Sequence, residues 1–282
     1  MRFSAINATR RRNRFVQVLG TIAAFLLALG VAVPCALAGQ KAAAAPLPVL
    51  RVAAAADLQF AMPELAEQFG KKGIATLEVT YGSSGNFFSQ IQNGAPFDLF
   101  FSADLDYAKK LDAAGLVEPG TLCEYAVGRL VLWTRANAVV DVAKDGWKAL
   151  LDARVEKIAV ANPEHAPYGK AAVAAMRTAG IYQQVKNKLV YGENISQTAQ
   201  FVQSGNAQIG LLAMSLALSP AMKDGRRWDV PADAYPPIEQ GAVVLRDAKN
   251  KSAAQQFLEF VQSTEGRDTL KKYGFSFAAP AR

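Results

Sequence analysis

The chain has 282 residues, 51% of them hydrophobic and 20% charged, with 31 Lys+Arg against 24 Asp+Glu, two Cys and one His. Such a composition supports a sizeable core, and so few Cys and His exclude both a disulfide framework and a Cys/His zinc centre. The formal charge of +7 is concentrated in a leader, and no dense basic stripe follows it, which argues against nucleic acid as a partner.

Arg2, Arg10, Arg11, Arg12 and Arg14 precede an almost wholly apolar run, Phe15 to Val33, then Pro34 and Ala36-Leu37-Ala38. A positive flank, an apolar segment and an Ala-x-Ala site predict a signal peptide over residues 1–38, cut before Gly39 and delivering the protein to the periplasm. Its loss removes five of the 31 basic residues and none of the 24 acidic ones, leaving 26 against 24. Only Cys123 then remains, read as a small buried residue and not a nucleophile. Residues 39–47 read as a flexible lead-in.

From Val49 onward a unit of strand, small-residue turn and helix recurs, the pattern of an α/β fold. In the first unit, a strand from Val49 runs through alanines to Asp57, a good cap type, and Leu58, Met62, Leu65 and Phe69 fall at helical spacing. Pro63 restricts that helix to a start after an irregular turn at 58–61. In the second, Thr76–Thr80 leads through Gly82-Ser83-Ser84-Gly85 into a short amphipathic helix. A helix start carries unpaired N–H groups and the positive end of the dipole, so small hydroxyl residues there form a seat for an oxyanion.

Phe97 to Asp104 reads as a buried strand, Tyr107–Ala114 as a helix, and Cys123–Thr134 as a strand long enough to cross between domains. Lys157–Ala161 is a strand that meets Asn162-Pro163-Glu164-His165-Ala166-Pro167-Tyr168-Gly169 and a helix from Lys170. This is a third mouth, with His165 read as a loop-ordering residue, since no partner positions it as a base. The fourth is Leu189 to Gln197, where the backbone N–H of Ile195, not its side chain, is the useful group. Gln208–Met214 is a strand, Asp224–Pro237 a loop, and Gly241–Arg246 a strand that returns. Two amphipathic helices, Lys251–Gln262 and Thr264–Tyr273, close the chain.

Ligands in open α/β sheets sit at the carboxyl ends of strands, and none of these four turns holds Lys or Arg. Neutral helix mouths and hydroxyls suit a small dehydrated oxyanion. No G-x-S-x-G or P-loop pattern supports an enzyme, and an iron receptor would require paired tyrosines where only Tyr168 and Tyr191 are candidates.

From Val49 to Phe277 the chain resembles the periplasmic molybdate-binding proteins of ABC importers. The resemblance rests on the alanine turn before Asp57, Ser83-Ser84, Asn93-Gly94-Ala95-Pro96 with Asp98-Leu99-Phe100 and Ser102-Ala103-Asp104, Asn162 to His165, and Lys272-Tyr273-Gly274-Phe275. It implies a two-lobed periplasmic-binding-protein-like fold whose hinge is two crossing strands (type II). The lobes are expected at 48–126 plus 237–282 and at 127–236. It further implies a monomer without cofactor or enzymatic activity that binds molybdate or tungstate and passes it to a membrane permease. Ser84, the Tyr168 amide with or without its phenol, and the Ile195 amide are the implied ligands, joined by Ala56 and Asp57 at the first mouth. The chain departs from the family in carrying Asp57 where many members have serine, and Ala213 where many have tyrosine. Because a carboxylate repels a dianion, Asp57 either caps the helix while the Ala56 and Asp57 amides donate, or is protonated, or accepts a proton from the ligand. The cap is the expectation adopted. The proton-accepting alternative makes the chain a receptor for phosphate or arsenate.

Overall fold

A computed structural model of the protein describes residues 46–277. The predicted signal peptide, its cleavage point and most of the lead-in lie outside the described residues. Among the described residues, ten strands form two mixed five-stranded sheets. The first contains β1 (Val49–Ala55), β2 (Thr76–Gly82), β3 (Leu99–Ser102), β4 (Cys123–Gly128) and, from far along the chain, β10 (Ile238–Val244), in the order β2-β1-β3-β10-β4. The second contains β5 (Leu130–Thr134), β6 (Ile158–Ala161), β7 (Leu189–Gly192), β8 (Ile209–Ala213) and β9 (Arg226–Asp229), in the order β7-β6-β8-β5-β9.

The two sheets repeat one plan. In each, a central strand (β1 or β6) is flanked by parallel neighbours, and an antiparallel strand (β10 or β5) follows. That antiparallel strand is the one that has just crossed from the other sheet: β4 passes through Arg129 into β5, and β9 leads to β10. The long apolar run Cys123–Thr134 therefore forms two strands in two sheets, broken at Arg129.

Composition explains the packing. Ala53, Ala54, Ala55 and Ala56 are buried, and their small side chains let helices approach β1 closely. On one face, Phe69, Phe101, Phe257 and Phe260 meet at ring-centroid distances of 5.1 to 6.3 Å, a geometry favourable for aromatic edges. Asp98, buried, serves as a backbone tie: its carboxylate accepts from the Arg51 amide at 2.8 Å and the Lys249 amide at 2.7 Å. Pro63 falls third in the Ala61–Gly70 helix, within the first turn that tolerates it.

One predicted loop contains a strand. Arg226–Asp229 pairs antiparallel with β5 at the edge of the second sheet, although Asp224–Pro237 reads as loop. Its residues alternate between half-buried and exposed, and a charged edge strand has little apolar signal to betray it. Among the described residues, no helix is long and apolar enough to cross a membrane.

Candidate functional site

The four mouths lie at the carboxyl ends of β1 and β6 and of their parallel edge neighbours β2 and β7. They converge on one small cavity of ≈ 10 Å³, whose lining includes Ala56, Asp57, Ser84, Tyr168, Asn194 and Ile195. All five predicted site residues thus border a single space. No lysine, arginine or histidine side chain belongs to its lining, and no group of His, Cys, Asp and Glu among the described residues is arranged to hold a metal ion.

Three of the mouths leave a donor uncommitted. At the fourth, Asn194 caps the Ile195–Gln203 helix, its side-chain oxygen accepting from the amides of Ser196 and Gln197, both at 3.0 Å. Among the described residues nothing accepts from the Ile195 amide, while its side chain is buried in the core of the second sheet. The third mouth works similarly. Pro167 opens the Pro167–Thr178 helix without an N–H, and Gly169 donates to the Ala166 carbonyl at 3.0 Å, which leaves the Tyr168 amide. At the second, the Ser84 hydroxyl oxygen accepts from the Ala103 amide at 2.9 Å, so its proton remains to be donated. Gly85 is not free in this way, because its amide donates to the His165 carbonyl at 2.9 Å.

His165 acts through that carbonyl, which also accepts from the Ser83 hydroxyl at 2.5 Å. The loop of the second sheet is therefore clasped to the helix start of the first. A side chain at position 85 would drive a Cβ to 2.7 Å from the same carbonyl, so glycine is required for the clasp. Further polar contacts tie the two halves along the rim. Asn86 donates to Glu193 at 2.8 Å, Gln59 pairs with Ser196, and Lys170 donates to the Tyr107 hydroxyl at 3.3 Å beside Asp104.

Asp57 departs from the expected cap. The Ala56–Leu58 turn has no side-chain capping bond at Ala55, and the carboxyl enters a buried network instead. Its Oδ2 accepts from Gln240 Nε2 at 2.5 Å and from the Tyr168 hydroxyl at 3.0 Å. Tyr125 donates to Gln240 Oε1 at 2.5 Å, which turns the amide nitrogen toward Asp57. Ser215 donates to the Asp57 carbonyl at 2.7 Å. Burial pushes the carboxyl up from 3.8 to about 6, against the opposing pull of Gln240, Tyr168 and the amides of Asp57 and Leu58. Burial, with the Asp57 charge second, holds the phenols of Tyr168 and Tyr125 well above their ordinary value.

The Tyr168 phenol is thus occupied by Asp57, and only its amide is left for a ligand. Gln240 and Tyr125 were not apparent from the sequence as site residues. The available signal is a glutamine inside the largely apolar strand Ile238–Val244, whose apolar pattern in sequence is continuous only from Gly241. Gly128, at the crossing, completes the network by what it lacks: a Cβ there would collide with the Tyr168 hydroxyl and lie 2.8 Å from Gln240 Nε2.

Comparison with known proteins gives a consistent picture. Residues 50–276 match the family described as bacterial extracellular solute-binding protein. The chain is 38% identical over 264 residues to the molybdate-binding protein ModA of Rhodobacter capsulatus, covering 93% of this chain and 98% of that protein. It is also 38% identical over 239 residues to ModA of Azotobacter vinelandii, covering 84% and 94%. The solved structure of the Azotobacter vinelandii periplasmic molybdate-binding protein superposes with a TM-score of 0.77 at 32% identity, covering 82% of this chain and all of that one.

Proposed function

The chain belongs to the bacterial extracellular solute-binding protein family, whose members here are receptors and not enzymes, and from that premise we propose that it is the substrate-binding component of an ABC importer for molybdate. The convergence of uncommitted donors from both halves on one cation-free cavity carries this reading. The Ala56 and Asp57 amides and the Ser84 hydroxyl approach from one side, the Tyr168 and Ile195 amides from the other. They hydrogen-bond the oxygens of the anion, and no side chain bonds the metal. Hydrogen bonds to a charged group contribute roughly 1.5 to 3 kcal/mol each, and each helix start adds about 0.3 to 1 kcal/mol. Four or five such donors are sufficient for micromolar binding, about 8 kcal/mol.

The first sheet and its helices form one lobe and the second sheet the other, so the described residues divide as 48–128 plus 237–277 and 129–236, two residues past the expected first boundary at 126, with the two crossings as hinge. A ligand held by donors from both lobes is enclosed between them, so the lobes part for its entry and close over it, which favours the closed form by bridging them. Tungstate, of the same charge and similar size, binds by the same donors. Export to the periplasm places the receptor beside its permease.

Isothermal titration of the mature, ligand-stripped protein with molybdate, tungstate, sulfate and phosphate tests this. Tight binding of the first two with the others silent supports it. Phosphate binding with molybdate weak would instead make Asp57 an acceptor for a proton carried by the ligand, and the chain a receptor for phosphate or arsenate.

A further inference from the structure

We propose that Asp57 meets the oxyanion as a neutral acid, its Oδ1 carrying a proton that it donates into the cavity, so that each dianion bound is accompanied by one proton from solvent. This rests on the receptor reading above and concerns how the same site handles charge.

The two oxygens of Asp57 differ. Oδ2 accepts from both Gln240 and Tyr168, and the Tyr125 bond to Gln240 fixes the amide so that its nitrogen faces this oxygen. With two donors aimed at it, Oδ2 is an acceptor in either protonation state. Oδ1 is buried and has no hydrogen-bond partner among the described residues, the amides of Asp57 and Leu58 exerting only the weakest pull on the carboxyl, and its side chain is fully buried on a residue that lines the cavity. A buried polar atom without a partner is costly. An ionised Oδ1 facing a dianion is costlier still, whereas a protonated one supplies a donor where the ligand needs it.

The surroundings supply no compensating charge. Facing Asp57 are Tyr168 from the Pro167–Thr178 helix, Tyr125 from β4, Gln240 from β10, Ser84 from the Ser84–Gln92 helix and Ser215 from the Met214–Ala217 turn of helix. Both phenols are held neutral by burial. No lysine or arginine belongs to the cavity lining, and Lys170 is occupied by Asp104 and Tyr107. The imidazole of His165 faces Ser83 at 3.0 Å. Burial already brings the carboxyl to about 6, and a neighbouring dianion raises it further.

The sign of the effect follows. Well below about pH 6 the acid is already protonated, so binding takes up little and affinity is flat. Above it, until the higher value of the bound state is reached, each unit of pH weakens molybdate binding roughly tenfold, and uptake approaches one proton. Molybdate itself carries no proton at neutral pH, so the proton is taken from solvent.

Titrating molybdate into the mature protein at about pH 5 and about pH 8, in buffers of different ionisation enthalpy, counts the protons directly. The expected result is close to one taken up per molybdate at the higher pH and few at the lower, with affinity falling between them. In Asp57→Asn, whose amide donates where the acid did, both the uptake and the pH slope should disappear. Molybdate bound by the wild type without proton uptake at about pH 8 overturns the proposal, as does a folded Asp57→Asn that retains the slope. Molybdate bound by neither protein at any pH would overturn the receptor reading itself.

Discussion

Ser84 and Asp57 occupy adjacent mouths and make opposite contributions. The Ser84 oxygen is held by the Ala103 amide, which fixes the direction of its remaining proton. Ser84→Ala is expected to weaken molybdate binding at least roughly tenfold, the loss of one charged hydrogen bond; unchanged affinity by titration would remove the hydroxyl from the site. Asp57 makes the unliganded protein less stable as pH rises. Its folded-state value, about 6, exceeds its ordinary 3.8, so the folded protein binds the proton more tightly than the unfolded chain. The corresponding stabilisation is complete below about pH 4 and is lost as pH rises through 6. Asp57→Asn should therefore stabilise the ligand-free protein at neutral pH by on the order of 3 kcal/mol, at about 1.36 kcal/mol per pH unit. The gain should vanish near pH 4, and denaturant titrations at both pH values check it.

At the level of elements, the crossing β4–Arg129–β5 controls whether the network can form. Tyr168 approaches Gly128 so closely that any side chain there occupies the place of its hydroxyl. Gly128→Ala is expected to fold, since the backbone there is a strand conformation that alanine adopts, but to lower molybdate affinity tenfold or more by keeping Tyr168 and Gln240 from Asp57. Affinity within twofold of the wild type would mean the closed form tolerates the methyl group. The helix starts themselves were legible in sequence, because Ser, Asn and Pro at first-turn positions are local signals. The site of β9 was not, since an edge strand of charged residues depends on the partner strand that pairs with it.

For the whole molecule, closure joins several weak contacts and one buried network. The rim pair Asn86–Glu193 is exposed, and such contacts contribute little. Asn86→Ala should weaken binding less than about fivefold, a change under ~1 kcal/mol. Small-angle scattering of the wild type should show the radius of gyration falling when molybdate is added. Gly128→Ala at the same molybdate concentration should remain at the larger value. An unchanged radius in the wild type would argue against hinge closure.

The sequence alone determined what depends on neighbours along the chain. The strand, turn and helix alternation, the four helix mouths and the absence of cations at them follow from spacing, capping types and composition. Only the tertiary structure decided what depends on residues far apart meeting in space. Asp57 is in contact with Gln240, 183 positions away, and with Tyr168, 111 away, and this contact turns a residue that reads as a helix cap into a buried acid. Ser84 and Ile195 stand at helix starts as their local sequence suggests, because that placement belongs to backbone and first-turn geometry. The state of Asp57 belongs to burial, and no local pattern encodes which side chains will exclude water from it.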